Sequence, residues 1–118
     1  MGFLVLEHKM HFPIRGGARL KNPIKRLCFD VVLKKIKYEN VKKLTELEVI
    51  CNGDVLRSHT LSTADKPLEL IEGVTISLKE GKIHNESVRL CYDASSDWKI
   101  YRSNYDIKGK FSNYEYFR

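Results

Sequence analysis

Residues 47–57 read LEVICNGDVLR, and this stretch gives the clearest local indication of the fold. Two short strand-like segments flank the dipeptide Asn52-Gly53. Asn and Gly tolerate the positive φ angles that a type I′ turn requires at both of its central positions. The stretch therefore predicts a β-hairpin with a two-residue turn.

Strand-like segments recur on both sides of this hairpin. They share short apolar runs or an alternation of apolar and polar residues, which is typical of half-buried strands. The predicted segments are residues 3–6, 74–79, 88–93 and 98–102. The first of them is expected to end in a turn that includes Gly16-Gly17. Trp98 is expected to pack in the core or in an interface rather than to stack on a ligand.

The sequence of two segments is compatible with a helix. Asn22-Pro23 is a good helix start, but residues 27–33 also alternate as a strand would, and their β-branched and aromatic content favours strand. Residues 39–47 carry apolar side chains at helical spacing, which predicts one or two turns of helix. The fold class is therefore mainly β, with α+β as the alternative.

Composition limits the chain to one domain and to few functional classes. Its 118 residues are 42% hydrophobic and 31% charged, which suits a single domain spanning residues 1–118. There is no apolar run of the roughly 20 residues that a membrane span needs, and the N-terminus does not read as a secretory signal. The three cysteines, Cys28, Cys51 and Cys91, are widely spaced and form neither a disulfide framework nor a zinc motif. We therefore expect a cytoplasmic protein with no membrane contact and no metal.

The positive charge is concentrated in part of the chain. The net charge is +6, residues 15–47 carry a local +7, and residues 48–97 carry a local −4. Such polarity favours a polyanionic partner, although a solvated surface explains it equally well. The candidate electrostatic contacts are Lys34, Lys35, Lys37, Lys42 and Lys43.

Residues 88–102 read VRLCYDASSDWKIYR and carry a family resemblance. The segment resembles the carbon storage regulator (CsrA/RsmA) family of bacterial RNA-binding translational regulators. Six residues fall in register with the family pattern: Val88, Arg89, Leu90, Ala94, Ile100 and Arg102. The opening residues 4–14 match the family's first strand independently. The resemblance covers about residues 3–14 and 74–105, so residues 15–73 would be an insertion that contains the hairpin and the short helix.

The resemblance implies a CsrA-like five-stranded sheet or barrel and a strand-exchanged homodimer. It also implies that the chain regulates translation by binding GGA motifs in single-stranded or loop RNA between the first strand of one subunit and the last strand of the other. Carried over by position, Arg102 is the family's critical arginine and Leu6 stands at the matching place in the first strand. His8 replaces an arginine of the family, and Lys9 keeps the neighbouring basic residue. Leu6, His8, Lys9 and Arg102 are the predicted RNA-binding residues.

The departures from the family leave an alternative open. Cys91, Ser95 and Asn104 replace a glycine, a proline and a glutamate of the family pattern. The alternative is that the scaffold serves as a protein-interaction module, with the insertion as the contact surface, or as a DNA-binding regulator without GGA specificity. The sequence contains no nucleophile motif and no glycine-rich phosphate loop, so we expect neither an enzyme nor a cofactor.

The C-terminal residues 105–118 interleave aromatic and basic side chains. They are Phe111, Tyr114, Tyr116 and Phe117 with Lys108, Lys110 and Arg118. This composition fits a segment that docks on its own domain, which we favour, and it also fits a platform for single-stranded nucleic acid.

Overall fold

Antiparallel β-strands make up all of the regular structure in the residues described. The computed structural model describes residues 2–11, 14–39, 42–63, 66–79, 87–105 and 111–117. The ten strands are β1 (Gly2–His11), β2 (Ile14–Asn22), β3 (Leu27–Glu39), β4 (Lys42–Cys51), β5 (Asp54–Ser62), β6 (Leu68–Ile71), β7 (Val74–Lys79), β8 (Ser87–Ala94), β9 (Lys99–Tyr105) and β10 (Phe111–Tyr116). The mainly β class is thus confirmed, and the α+β alternative is not supported.

The hairpin predicted at Asn52-Gly53 is present between β4 and β5. Cys51 pairs with Asp54, and the φ angles of Asn52 and Gly53 are 49° and 89°. A second two-residue turn, which was not predicted, joins β6 to β7 at residues 72–73, where Gly73 has a φ of 85°. In both turns glycine adopts a left-handed conformation that costs it little.

The helix predicted for residues 39–47 is wrong. Glu39 ends β3 and residues 42–47 belong to β4, where Thr45, Leu47 and Val49 are fully buried on one face, while residues 40 and 41 lie outside the described residues. The strand alternation of two residues prevails over the helical spacing because β4 is paired on both sides, with β3 and with β5.

The helix reading of residues 22–38 is also wrong, and the strand reading is confirmed from Leu27 onward. The side-chain oxygen of Asn22 accepts hydrogen bonds from the main-chain N–H groups of Ile24 and Lys25. These are bonds that a helix N-cap would also make. Here they cap a turn that ends at Arg26, whose φ is 54°, and the chain then enters β3.

Gly16 and Gly17 lie within β2 rather than in a turn, which corrects the expectation for the first segment. A Cβ atom on Gly16 would stand 2.5 Å from the carbonyl oxygen of Lys9, and one on Gly17 would stand 2.0 Å from that of Val31. The two glycines are therefore needed where neighbouring backbones approach β2 closely.

The strands form two antiparallel sheets that meet at the β1–β2 corner and wrap into a nearly closed barrel. The first sheet has the order β6-β7-β8-β1, and the second has the order β5-β4-β3-β2-β9-β10. Residues 2–9 of β1 pair with β8, and its last two residues pair with β2. Because β1 passes from the first sheet to β2 of the second sheet, it lies near β9, which also pairs with β2.

Among the described residues, a large hydrophobic core involves both sheets, and Val32, Ile50 and Tyr105 form a second, smaller cluster. Val88, Leu90 and Tyr92 of β8 are buried on one face as predicted, and Trp98 is 4% exposed and packs against Phe29. The C-terminal segment adds β10 to the edge of β9. Among the described residues, there is no helix with the length and apolar character needed to cross a membrane.

Candidate nucleic-acid interface

A groove separates β1 from β9 on the surface. It has a volume of about 470 Å3 and is lined by Glu7 and Lys9 from β1 and by Arg102 and Asn104 from β9. The Arg102 guanidinium donates a hydrogen bond from Nη1 to the main-chain carbonyl of Glu7 at 3.4 Å, which joins residues 95 positions apart. The two segments that carry the family resemblance therefore meet in one place within a single chain.

Small residues in β2 make this meeting possible. Ala18 stands opposite Arg102 in the β2–β9 pairing, and Gly16 stands opposite Asn104. Because Gly16 has no side chain, the backbone of β1 at Lys9 can pass directly over it. The longer side chains of Arg102 and Asn104 are then directed toward β1 rather than toward a bulky neighbour on β2.

The side of β1 that faces the groove is an open strand edge. In an antiparallel pair, alternate residues direct their N–H and C=O groups toward opposite sides of the strand. The Glu7 carbonyl points away from β8 and toward Arg102, so Val5 and Phe3 direct their main-chain groups to the same side. In the described part of the chain, no strand pairs with this edge over residues 2–9.

Arg102 has two further partners, Glu115 on β10 and Phe117 directly after that strand. Its Nη2 atom lies 3.3 Å from each carboxylate oxygen of Glu115, and its guanidinium carbon lies 5.2 Å from the centre of the Phe117 ring. Register explains the first contact, because Glu115 pairs directly with Arg102 between β10 and β9. The guanidinium is thus held by a carbonyl, a carboxylate and an aromatic face.

Leu6 and His8, two of the four predicted RNA-binding residues, have their side chains in the interior. Leu6 is 3% exposed and belongs to the core, and His8 is 1% exposed. The Nε2 atom of His8 lies 2.7 Å from the hydroxyl oxygen of Tyr92, and the two rings meet edge to face. Neither side chain can contact a ligand in the groove directly, so Lys9 and Arg102 are the predicted residues that line it.

Burial keeps His8 neutral. Desolvation, together with the positive charge of Arg102, lowers the pKa of His8 to about 3. Burial likewise raises the pKa of Tyr92. At neutral pH His8 is therefore an uncharged group, and its contact with Tyr92 ties β1 to β8.

The lysine runs lie on the other half of the second sheet. Lys34 is 3.9 Å from Glu46 and 3.6 Å from Glu48, so acidic neighbours on β4 offset its charge. Lys35 and Lys37 are exposed on β3, and neither they nor Lys34 line the groove. Lys42 and Lys43 are in β4, and their side chains lie outside what the structure describes.

A partly buried ion pair joins β2 to β3 in the second sheet. Arg19 donates from Nε and Nη2 to the two carboxylate oxygens of Asp30, at 2.8 and 3.2 Å. The hydroxyl of Tyr105 donates to the same carboxylate at 2.9 Å. Desolvation lowers the pKa of Arg19, but its hydrogen bond and ion pair with Asp30 outweigh that effect and raise it. Within the described residues, no cluster of side chains could hold a metal ion.

Sequence reasoning missed some residues of the groove. Strand alternation places Glu7 on the same face as Lys9, and Asn104 on the same face as Arg102, so the period of two could have identified both. Glu115 and Phe117 had no such signal, because the register of β10 against β9 depends on tertiary pairing.

Comparison with known proteins gives no family assignment. No protein-family model, no curated protein and no solved structure matches this chain. The likeness to the carbon storage regulator family therefore depends on the residues quoted above.

Proposed function

We propose that the chain is a cytoplasmic post-transcriptional regulator of the carbon storage regulator type, which binds single-stranded or loop RNA with GGA motifs in the groove between β1 and β9. The observation that carries the proposal is the position of Arg102 at the open edge of β1, beside Lys9. The resemblance implies an RNA site between the first strand of one subunit and the last strand of the other, and here β1 and β9 of one chain form the two walls of the groove.

The chemistry of the groove suits unpaired bases. Such bases present hydrogen-bonding edges that are hidden in a duplex, and main-chain and amide groups can pair with them. The open edge of β1 provides groups of this kind, while Lys9 and Arg102 provide positive charge for phosphates. The Phe117 ring beneath Arg102 adds an aromatic surface at the margin of the groove.

The proposal does not require two subunits for one site, because one chain supplies both walls. The homodimer that the resemblance implies is a separate part of the proposal. Light scattering on the sample used for binding would give its mass, for which the proposal expects twice 13.8 kDa.

A gel-shift titration with a GGA-bearing RNA hairpin tests the function through Arg102→Ala. We expect the wild-type chain to bind with micromolar or tighter affinity and the variant to lose at least tenfold. A good control is Arg57→Ala, because Arg57 is also exposed and also donates to a main-chain carbonyl, that of Glu69 at 3.0 Å. The control should bind RNA as the wild type does.

Other ligands separate this proposal from its alternatives. With two cations in the groove, the logarithm of the binding constant should fall with the logarithm of salt concentration at a slope of about −1.4. Equal affinity for duplex DNA with a much steeper slope would indicate non-specific polyanion binding. A complete lack of RNA binding by a folded chain would contradict the proposal and favour a protein-interaction module.

A further inference from the structure

The cation that the proposed function depends on is already in contact with an anion of the same chain. Both carboxylate oxygens of Glu115 lie 3.3 Å from Nη2 of Arg102. The Glu115 side chain is 61% exposed and that of Arg102 is 40% exposed, so water and ligands can reach the pair. An ion pair at this exposure is weak, because water screens both charges.

The element that carries Glu115 is at the margin of the second sheet. The described part of the chain pairs β10 with β9 alone, and the register between them shifts between Phe111 and Tyr114. Beyond the strand, the main-chain N–H of Phe117 donates to the carbonyl of Ile100 at 2.9 Å, which fixes the Phe117 ring below the guanidinium. The C-terminal segment thus contributes Glu115, which pairs with the Arg102 guanidinium from β10, and Phe117, which supports the guanidinium from just beyond the strand.

We propose that Glu115 is an internal competitor for the anion subsite at Arg102, and that a phosphate of the ligand displaces it on binding. This inference rests on the proposed function, since it assigns Arg102 to a phosphate. A phosphate offers more acceptor oxygens than the carboxylate and can take a bidentate pair of hydrogen bonds from the guanidinium. Displacement breaks only a solvent-exposed ion pair, so the competitor lowers the affinity modestly and selects for ligands that carry phosphate.

Glu115 and Phe117 should therefore have opposite effects on RNA affinity. Glu115→Gln removes the competing charge and keeps the size of the side chain, so RNA should bind about two- to fivefold more tightly. Phe117→Ala removes the aromatic face below Arg102, so RNA should bind more weakly. A strand that served only to cover the edge of β9 would not produce effects of opposite sign.

Removal of any acidic residue makes the chain more positive, so a control must have the same charge change. Glu72→Gln provides it, because Glu72 is exposed in the β6–β7 turn and does not line the groove. A second control is the double variant Arg102→Ala with Glu115→Gln. In the absence of Arg102 the gain from Glu115→Gln should disappear, which a double-mutant cycle measures.

The gel-shift titration with the GGA hairpin decides among these variants. A gain for Glu115→Gln that exceeds that of Glu72→Gln and depends on Arg102 supports the competitor. An equal gain in the two single variants, a gain that persists without Arg102, or no gain at all would overturn it while leaving the proposed function intact.

A second readout keeps the test independent of RNA. Inorganic phosphate can be titrated into isotope-labelled protein while the Nε–H signal of Arg102 is followed by NMR. If no variant binds RNA, the proposed function fails, but a phosphate response that is stronger in Glu115→Gln than in the wild type still supports the competitor. The same weak response, or none, in both proteins would overturn it.

Discussion

The imidazole of His8 lies in the core directly behind the groove, bonded to Tyr92 and close enough to Arg102 to be affected by its charge. In the described structure its Nδ1 atom has no hydrogen-bond partner. The protonated form would place a charge in the core near a second cation. The residue therefore positions β1 as a neutral group, and the positive charge of the groove comes from Lys9 and Arg102.

This environment predicts a pH-dependent stability. The pKa of His8 is about 3 in the folded chain and about 6.5 in the unfolded chain, so the unfolded state binds the extra proton as the pH falls. The free energy of unfolding should drop by about 2 kcal/mol between pH 7 and pH 5 through this residue. Urea denaturation of the wild type and of His8→Gln, which cannot titrate, measures the difference.

The Gln variant should lack that part of the pH dependence. An equal drop in both proteins would contradict the assignment. Should the variant not fold, an NMR titration of the His8 ring in the wild type gives the same information, since the ring should stay neutral at pH 5.

At the scale of elements, β2 is the strand whose sequence the fold constrains most. It pairs with β3 on one side and β9 on the other, and β1 crosses over its first residues. A glycine pair within a strand is normally unfavourable. Here it permits the close approaches that bring β1 to Arg102.

A comparison of two glycines tests this explanation. Gly17→Ala would place a methyl group 2.0 Å from the carbonyl oxygen of Val31, a backbone atom that cannot move without disturbing the sheet. We expect a loss of about 3 kcal/mol in the free energy of unfolding. Gly53→Ala meets no atom within 4 Å and should cost about 1 kcal/mol, because only its positive φ is strained. Denaturation of both variants measures the contrast, and equal losses would contradict it.

Local signals explain which elements could be predicted from the sequence. Asn52 and Gly53 both tolerate the positive φ angles that a two-residue hairpin turn requires. In residues 74–79 and 88–93, apolar and polar side chains alternate, which is typical of a strand with one buried face. The helix start predicted at Asn22 was wrong because this side chain accepts hydrogen bonds from the following N–H groups in a turn just as it would in a helix cap. The helix predicted for residues 39–47 was wrong because three apolar residues at helical spacing are a weak signal. The pairing of β4 with β3 and with β5 outweighs that signal.

At the scale of the whole molecule, the groove exists because the two sheets meet at the β1–β2 corner and β1 leaves one edge open beside β9. No periodicity in the sequence shows that Glu7 and Arg102 are neighbours. The family resemblance implied that the first strand and Arg102 border one site across two subunits, whereas in the structure they meet within one chain. The contribution of β10 depends on a register that only the folded chain reveals.

The most direct test of the account is an NMR titration of the isotope-labelled chain with the GGA hairpin, in which the main-chain amide signals are followed residue by residue. The account predicts that the largest shifts occur at Glu7, Lys9, Arg102 and Asn104, with little change at Lys34, Lys35 and Lys37. Shifts that concentrate on β3 and β4, or an unchanged spectrum at saturating RNA, would contradict it.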